Sequence, residues 1–245
     1  MPHPLAVAVD QPLPAAAPAG AGSSPLPGYL ERVYWWAYVH PRAIRLFERE
    51  WLVNAILFGN YSRLCTQALE ELGDPLRGDT LQLACVYGNL TPRLSRRLAP
   101  DARLEVVDIV PLQLDNLRAK LPADARVTLT LGDASALQRP TASVDRALLF
   151  FLLHEQPEEV RRATLAEVVR VVRPGGRIVI VDYHRPLAWH PLRPLLAGVF
   201  RTLEPFAMDL WDNELWSYLP GGRRPESACK RTCFGGLYQQ LAWTR

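Results

Sequence analysis

At 245 residues the chain can bury one catalytic-sized core with an appendage, and such a core needs no disulfide or metal to hold it. Its net charge is only +3, with Lys120 and Lys230 its two lysines, so it lacks the dense basic stripe of a dedicated nucleic-acid binder. Its four cysteines, Cys65, Cys85, Cys229 and Cys233, lack the paired spacing of a structural zinc site and read as reduced thiols of a cytoplasmic protein, and no apolar run reaches the about 20 residues of a membrane-crossing helix.

Residues 1–28 hold seven prolines and seven alanines with no lysine or arginine, which predicts a disordered tail and argues against a secretory or transit signal. Residues 29–79 predict a helical lid, with Pro41 able to start a helix and Ile44, Phe47, Trp51, Ala55 and Phe58 recurring along one apolar face. From residue 80 to 245, short β-like runs alternate with helices: "TLQLACV", "RLEVVDI", a helix near 111–121, "VTLTL" and "SVDRALLFFLL". A helix from Pro157 follows, on which Val160, Thr164, Val168 and Val171 share a face; Pro174-Gly175-Gly176 stops it before "RIVIVDY". This order predicts an α/β fold with a doubly wound, Rossmann-like, mostly parallel sheet. Residues 184–227 break the rhythm as a proline-rich helical insertion, and "KRTCFGGLYQQLAW" reads as a closing antiparallel hairpin turning on Gly235-Gly236.

Ligands of open α/β sheets sit at the carboxyl ends of the strands. After the first predicted strand, "ACVYGN" keeps only Gly88 of the glycines that would cradle a dinucleotide pyrophosphate, which weighs against a nicotinamide or flavin enzyme. Asp108 ends the second strand and suits either a ribose or the cap of the helix after Pro111; Asp133 in "LGDAS" suits an adenine amine or a plain turn. Together, one βα unit apart, they make a nucleoside-shaped pair. His154, Glu155, Asp182 and His184, in "HEQP" and "DYHRP", suit a hard-donor metal site or an acid and base, with helix capping the alternative for the first two.

Taken in order, "LQLACVYGNLT", "VVDIVPLQLDNL", "LGDAS", "VDRALLFFLLHEQP" and "VVRPGGRIVIVDY" resemble the class I S-adenosylmethionine-dependent methyltransferases across residues 80–183. In that family's first motif Gln82 stands for the acid and Ala84 and Val86 for two glycines. More narrowly, "YWWAYVHPRAIRLFEREWLVN", "ACVYGN", "LFFLLHEQP", "IVDYHRP" and "FGGLYQ" resemble the bacterial rhodoquinone-biosynthesis methyltransferase-like proteins over nearly the whole chain after the tail. That resemblance implies conversion of ubiquinone to rhodoquinone, a ring methoxy group being replaced by an amino group, with S-adenosylmethionine as amino donor and manganese(II) assisting. It implies cofactor contacts from Ala84, Val86, Gly88, Asp108, Ile109, Asp133 and Ala134. Val86 should turn the methionine arm and Tyr87 should face the sulfonium or the quinone. His154 is the expected proton acceptor, and Glu155, Asp182 and His184 the expected metal ligands. The alternatives are a conventional methyltransferase of a quinone precursor and a non-catalytic quinone-binding protein. Trp35, Trp36 and Trp51, with Trp189, Trp211 and Trp216, suggest a quinone-binding lid resting on the inner face of a bacterial cytoplasmic membrane; simple packing on the sheet is the plainer reading.

Overall fold

The computed structural model describes residues 27–30, 48–124 and 126–245. The readings made on residues 1–26 and on 31–47, including Trp35, Trp36, Ile44 and Phe47, lie outside the described residues.

In chain order the elements are α1 (Glu50–Ile56), α2 (Tyr61–Leu72), β1 (Asp79–Leu83), α3 (Leu90–Ser95), β2 (Arg103–Asp108), α4 (Pro111–Lys120), β3 (Val127–Leu131) and β4 (Val144–Phe150). There follow α5 (Glu158–Val171), β5 (Val172–Tyr183), α6 (Arg193–Leu203), α7 (Asp209–Asp212), β6 (Cys229–Cys233) and β7 (Tyr238–Thr244). The seven strands form one sheet in the order β3-β2-β1-β4-β5-β7-β6. The first five run parallel and the last two close the edge as an antiparallel hairpin. The order reverses between β1 and β4, and this switch point opens a crevice at the strand ends.

Both faces of the sheet are covered. Leu148 and Phe150 of β4 pack with α2, α3 and α6, whereas Ala147 and Leu149 pack with α5 and the segment around Trp216. This explains the unbroken apolar run of β4, since a strand buried on both faces has no polar side. Thr164, Val168 and Val171 of α5 are buried as the periodicity predicts, with Val160 only half-buried, and Arg161 is buried among them.

Three details depart from expectation. The strand predicted to begin after Gly176 begins at Val172, because Arg173–Gly176 bulges out while the pairing jumps from Val144–Val172 to Arg146–Arg177. No side chain of α1 is buried: Trp51, Ala55 and Phe58, read from sequence as part of one apolar face, are exposed. In the insertion Trp211 and Trp216 are core residues, so among its tryptophans Trp189 alone lies on the surface.

Candidate active site

A cavity of about 480 Å³, a size typical of small-molecule sites, opens at the carboxyl ends of β1, β2, β4 and β5. One end is polar, walled by the β1 turn, Asp108, Ile109, Gln113, Asp133 and Ala134; the other is apolar, walled by α1 and α6. Its described lining carries four carboxylates, Asp108, Asp133, Glu155 and Glu204, with His154 and no lysine or arginine, a field that favours a cationic ligand over a phosphate.

The β1 turn is built around Tyr61 of α2. The Tyr61 hydroxyl donates to the Tyr87 carbonyl (3.0 Å) and accepts from the N–H groups of Asn89 (2.8 Å) and Leu90 (3.0 Å), so it satisfies the otherwise orphaned start of α3. Gly88 (φ 84°) is required beneath it, since a Cβ there would meet the hydroxyl at 2.6 Å. Gly88 therefore packs against Tyr61, between the turn and α2. Gln82, in place of the family's acid, is fully buried; it donates to the Ala84 carbonyl and accepts from the Thr91 hydroxyl, each at 3.0 Å. Ala84 occupies the left-handed region (φ 69°), where glycine is ordinarily found. Val86 and Tyr87 line the cavity, and the Tyr87 hydroxyl accepts from Gln113 Nε2 at 2.7 Å.

Asp108 braces the turn and faces the cavity. Oδ2 accepts from Cys85 N–H (2.6 Å), tying the turn to β2, and Oδ1 accepts from Val110 N–H (2.8 Å) ahead of α4, while the residue lines the cavity. Burial raises its pKa, opposed by these N–H groups. In Asp133, Oδ1 is held by Ser135 N–H and hydroxyl at 2.8 and 2.7 Å. The two acids thus sit on one wall at adjacent strand ends, and as acceptors they fit a nucleoside's hydroxyls and amine.

The reactive end centres on His154. Its Nδ1 lies 2.9 Å from Asp182 Oδ1, and its Nε2 faces Glu155 at 3.7 Å and Glu204 at 4.0 Å. Burial alone would disfavour the charged ring, but Asp182, Glu155 and Glu204 outweigh it and raise the pKa to about 9. These carboxylates favour the protonated ring, which suits it to donating a hydrogen bond more than to accepting a proton. Tyr183 meets it edge-on at 4.8 Å and Phe151, held at φ 52°, at 6.0 Å, completing an aromatic wall.

The expected trio of metal ligands does not converge. Both oxygens of Asp182 are taken, by the N–H groups of Leu153, His154 and Tyr183 and by the His154 ring. His184 lies off the cavity, its Nδ1 on the Gly236 carbonyl at 2.8 Å and its Nε2 facing the Lys230 ammonium at 3.1 Å. Among the described residues no three His, Cys, Asp or Glu side chains are placed to hold a metal ion, so these residues do not fit a manganese(II) site. Helix capping is not their role either, as α5 has no side-chain cap.

Several lining residues were not singled out from sequence. Glu204 lies fifty positions from His154 in the insertion and carries no local signal. Phe151 and Tyr183 stand inside quoted strand-end motifs, beside the polar residues that drew attention. Tyr61 falls between the quoted motifs, and only a buried tyrosine facing a lone glycine marks it.

The sheet order, the acid pair and the crevice define the class as a doubly wound α/β protein with a nucleoside-type site. The methyltransferase domain family matches residues 80–176. The ubiquinone/menaquinone biosynthesis C-methyltransferase UbiE of Syntrophotalea carbinolica is 30% identical over 186 residues, covering 72% of this chain and 74% of the relative. The demethylmenaquinone methyltransferase of Lactococcus lactis is 26% identical over 173 residues, covering 68% of this chain and 66% of the relative. Among solved structures, geranyl diphosphate C-methyltransferase from Streptomyces coelicolor shares the fold at TM-score 0.61 and 15% identity, over 91% of this chain and 100% of that one. The chain belongs to the class I S-adenosylmethionine-dependent methyltransferase superfamily.

Proposed function

We propose that this protein is an S-adenosylmethionine-dependent transferase that modifies the ring of a polyprenyl quinone or quinol. The observation that carries the reading is one continuous cavity, polar and acid-lined at the Asp108–Asp133 end, apolar between α1 and α6, with His154 in its lining. When bound, S-adenosylmethionine would supply an electrophilic sulfonium centre bearing the group to be transferred. Asp108 and Asp133 orient the nucleoside, the acid-rich walls favour the sulfonium charge, and His154, held by Asp182, donates a hydrogen bond to a ring oxygen as negative charge gathers there. The names of the quinone C-methyltransferase relatives support this substrate class.

Two readings remain for the group that moves. Methyl transfer to a ring carbon is the reading that those relatives support. Replacement of a methoxy group by an amino group, yielding rhodoquinone from ubiquinone, is favoured by a specific departure: side chains at Ala84 and Val86 stand where a methyltransferase presents bare glycine backbone, and the neighbouring Tyr87 is pinned by Gln113. Those side chains change the surface that positions the methionine arm.

The deciding experiment incubates purified protein with ubiquinone, and separately with a demethylated quinol, using S-adenosylmethionine labelled with heavy nitrogen and heavy methyl. Loss of methoxy with gain of heavy nitrogen supports amination, and gain of heavy methyl supports methylation. No conversion of either substrate overturns the quinone reading.

A further inference from the structure

The apolar end of the cavity opens onto a surface of unusual character. Trp51, Ile56 and Phe58 on and after α1, and Leu187, Trp189, Leu195 and Leu203 on and before α6, are all exposed, Trp51 by 62% and Trp189 by 72%. Four of them border one opening. Ile56, Phe58, Leu195 and Leu203 line the cavity mouth itself. Phe58 stacks on Phe234 at 5.8 Å, Phe234 meets His190 edge-on at 5.1 Å, and His190 is stacked by Trp189, which carries the rim from α1 across to the loop before α6. Isolated exposed apolar residues are ordinary, but a continuous set around a cavity mouth marks an interaction surface.

Charge identifies the partner. Residues 185–203 contain three arginines, Arg185, Arg193 and Arg201, and no acidic residue. Arg185 and Arg201 are exposed, and α6 buries Leu196 and Phe200 while presenting Leu195, Thr202 and Leu203 outward. A helix that is basic, free of acids and tipped with tryptophan and leucine suits the boundary between anionic headgroups and acyl chains.

We propose that the rim formed by α1, the 187–190 loop and α6 docks on an anionic phospholipid bilayer, with the cavity mouth facing the membrane. Resting on the proposed quinone substrate, this assigns the mouth as the route by which an isoprenoid tail stays in lipid while its ring enters the protein. Neither Trp211 nor Trp216 takes part, being buried.

The test is co-sedimentation of the full chain with vesicles of phosphatidylcholine alone and of phosphatidylcholine mixed equally with phosphatidylglycerol. The expected result is binding to the anionic vesicles, weakened about tenfold or more in a Leu187→Ser, Trp189→Ser variant and again in an Arg185→Glu, Arg201→Glu variant, the latter losing the salt dependence. Thermal melts and turnover of a short-tailed, water-soluble quinone should remain near wild type in both. Absence of vesicle binding, or binding equal in all three proteins, overturns the surface, as does a dimer that the Trp189 variant abolishes, which would seat a second copy there. Vesicle binding without turnover of any quinone leaves the surface standing and overturns the substrate reading.

Discussion

Asp182 Oδ1 and His154 Nδ1 lie 2.9 Å apart inside the protein, and the aspartate's remaining valences are filled by the backbone N–H groups of Leu153, His154 and Tyr183. An aspartate that is fully buried and thus tied to the end of β5 holds the ring in both position and charge.

The pH dependence of stability follows from that charge. The His154 pKa is raised from 6.5 to about 9, so its stabilisation is fully present below about pH 6.5 and is lost as pH rises through about 9. The expected loss across that window is on the order of 3 kcal/mol, read from urea unfolding. In His154→Gln the dependence should vanish; a wild-type profile that is flat there would show the ring to be neutral.

Replacing Asp182 by asparagine removes the charge partner while Leu153, His154 and Tyr183 keep an acceptor. The His154 ring, followed by proton NMR, should titrate at lower pH, and the protein should lose about 3–5 kcal/mol as a buried pair is broken. An unmoved titration would assign the raised value to Glu155 and Glu204 alone.

Tyr61→Phe deletes one hydroxyl that serves three backbone partners. Two buried N–H groups lose their acceptor, and each costs about 1–3 kcal/mol when unsatisfied. Cofactor affinity, measured by calorimetry, should fall with stability, because the same hydroxyl holds the Tyr87 carbonyl. Loss of stability with unchanged affinity would separate the turn's shape from Tyr61.

Ala84 and Val86 make opposite predictions within one turn. Ala84→Gly relieves a left-handed backbone and should raise the melting midpoint, by about 1 kcal/mol in stability. Val86→Gly should leave stability within about 1 kcal/mol or lower it, yet shift the product ratio toward methylation. A product ratio indifferent to Val86 would remove the basis for reading amination from this turn.

Asp108→Ala leaves the N–H groups of Cys85 and Val110 without their carboxylate. Cofactor binding should weaken about tenfold or more, and Asp108→Asn, which retains an acceptor, should recover part of it. Equal effects of both variants would assign the carboxylate's charge, and not its hydrogen bonds, as the deciding property.

The alternation of β-runs and helices was legible because the parallel strands carry β-like runs bounded by turn residues, and the stretch from Ala147 to Phe150 announced its double burial by lacking any polar side. Asp108 and Asp133 were legible because strand ends are where such sheets bind ligands. Periodicity misled at Trp51 and Phe58, since a repeating apolar face signals burial in anything apolar, and here nothing among the described residues covers it. The raised pKa of His154 was hidden for a different reason: it depends first on Asp182 and then on Glu155 and Glu204, which only the fold brings around one ring. The supposed metal ligands failed on hydrogen bonding, because sequence names donors without showing which are already spent.

Arg161 has a consequence for how substrate reaches the site. Fully buried on α5, its guanidinium donates to the carbonyls of Leu153 and Gln156 on one side and of Phe206 on the other. The loop bearing His154 and Glu155 is thereby riveted to the segment that follows Glu204, so neither can swing aside without stranding a buried cation. Entry and exit fall to the opposite wall, where α1, none of whose residues is buried, borders the cavity mouth.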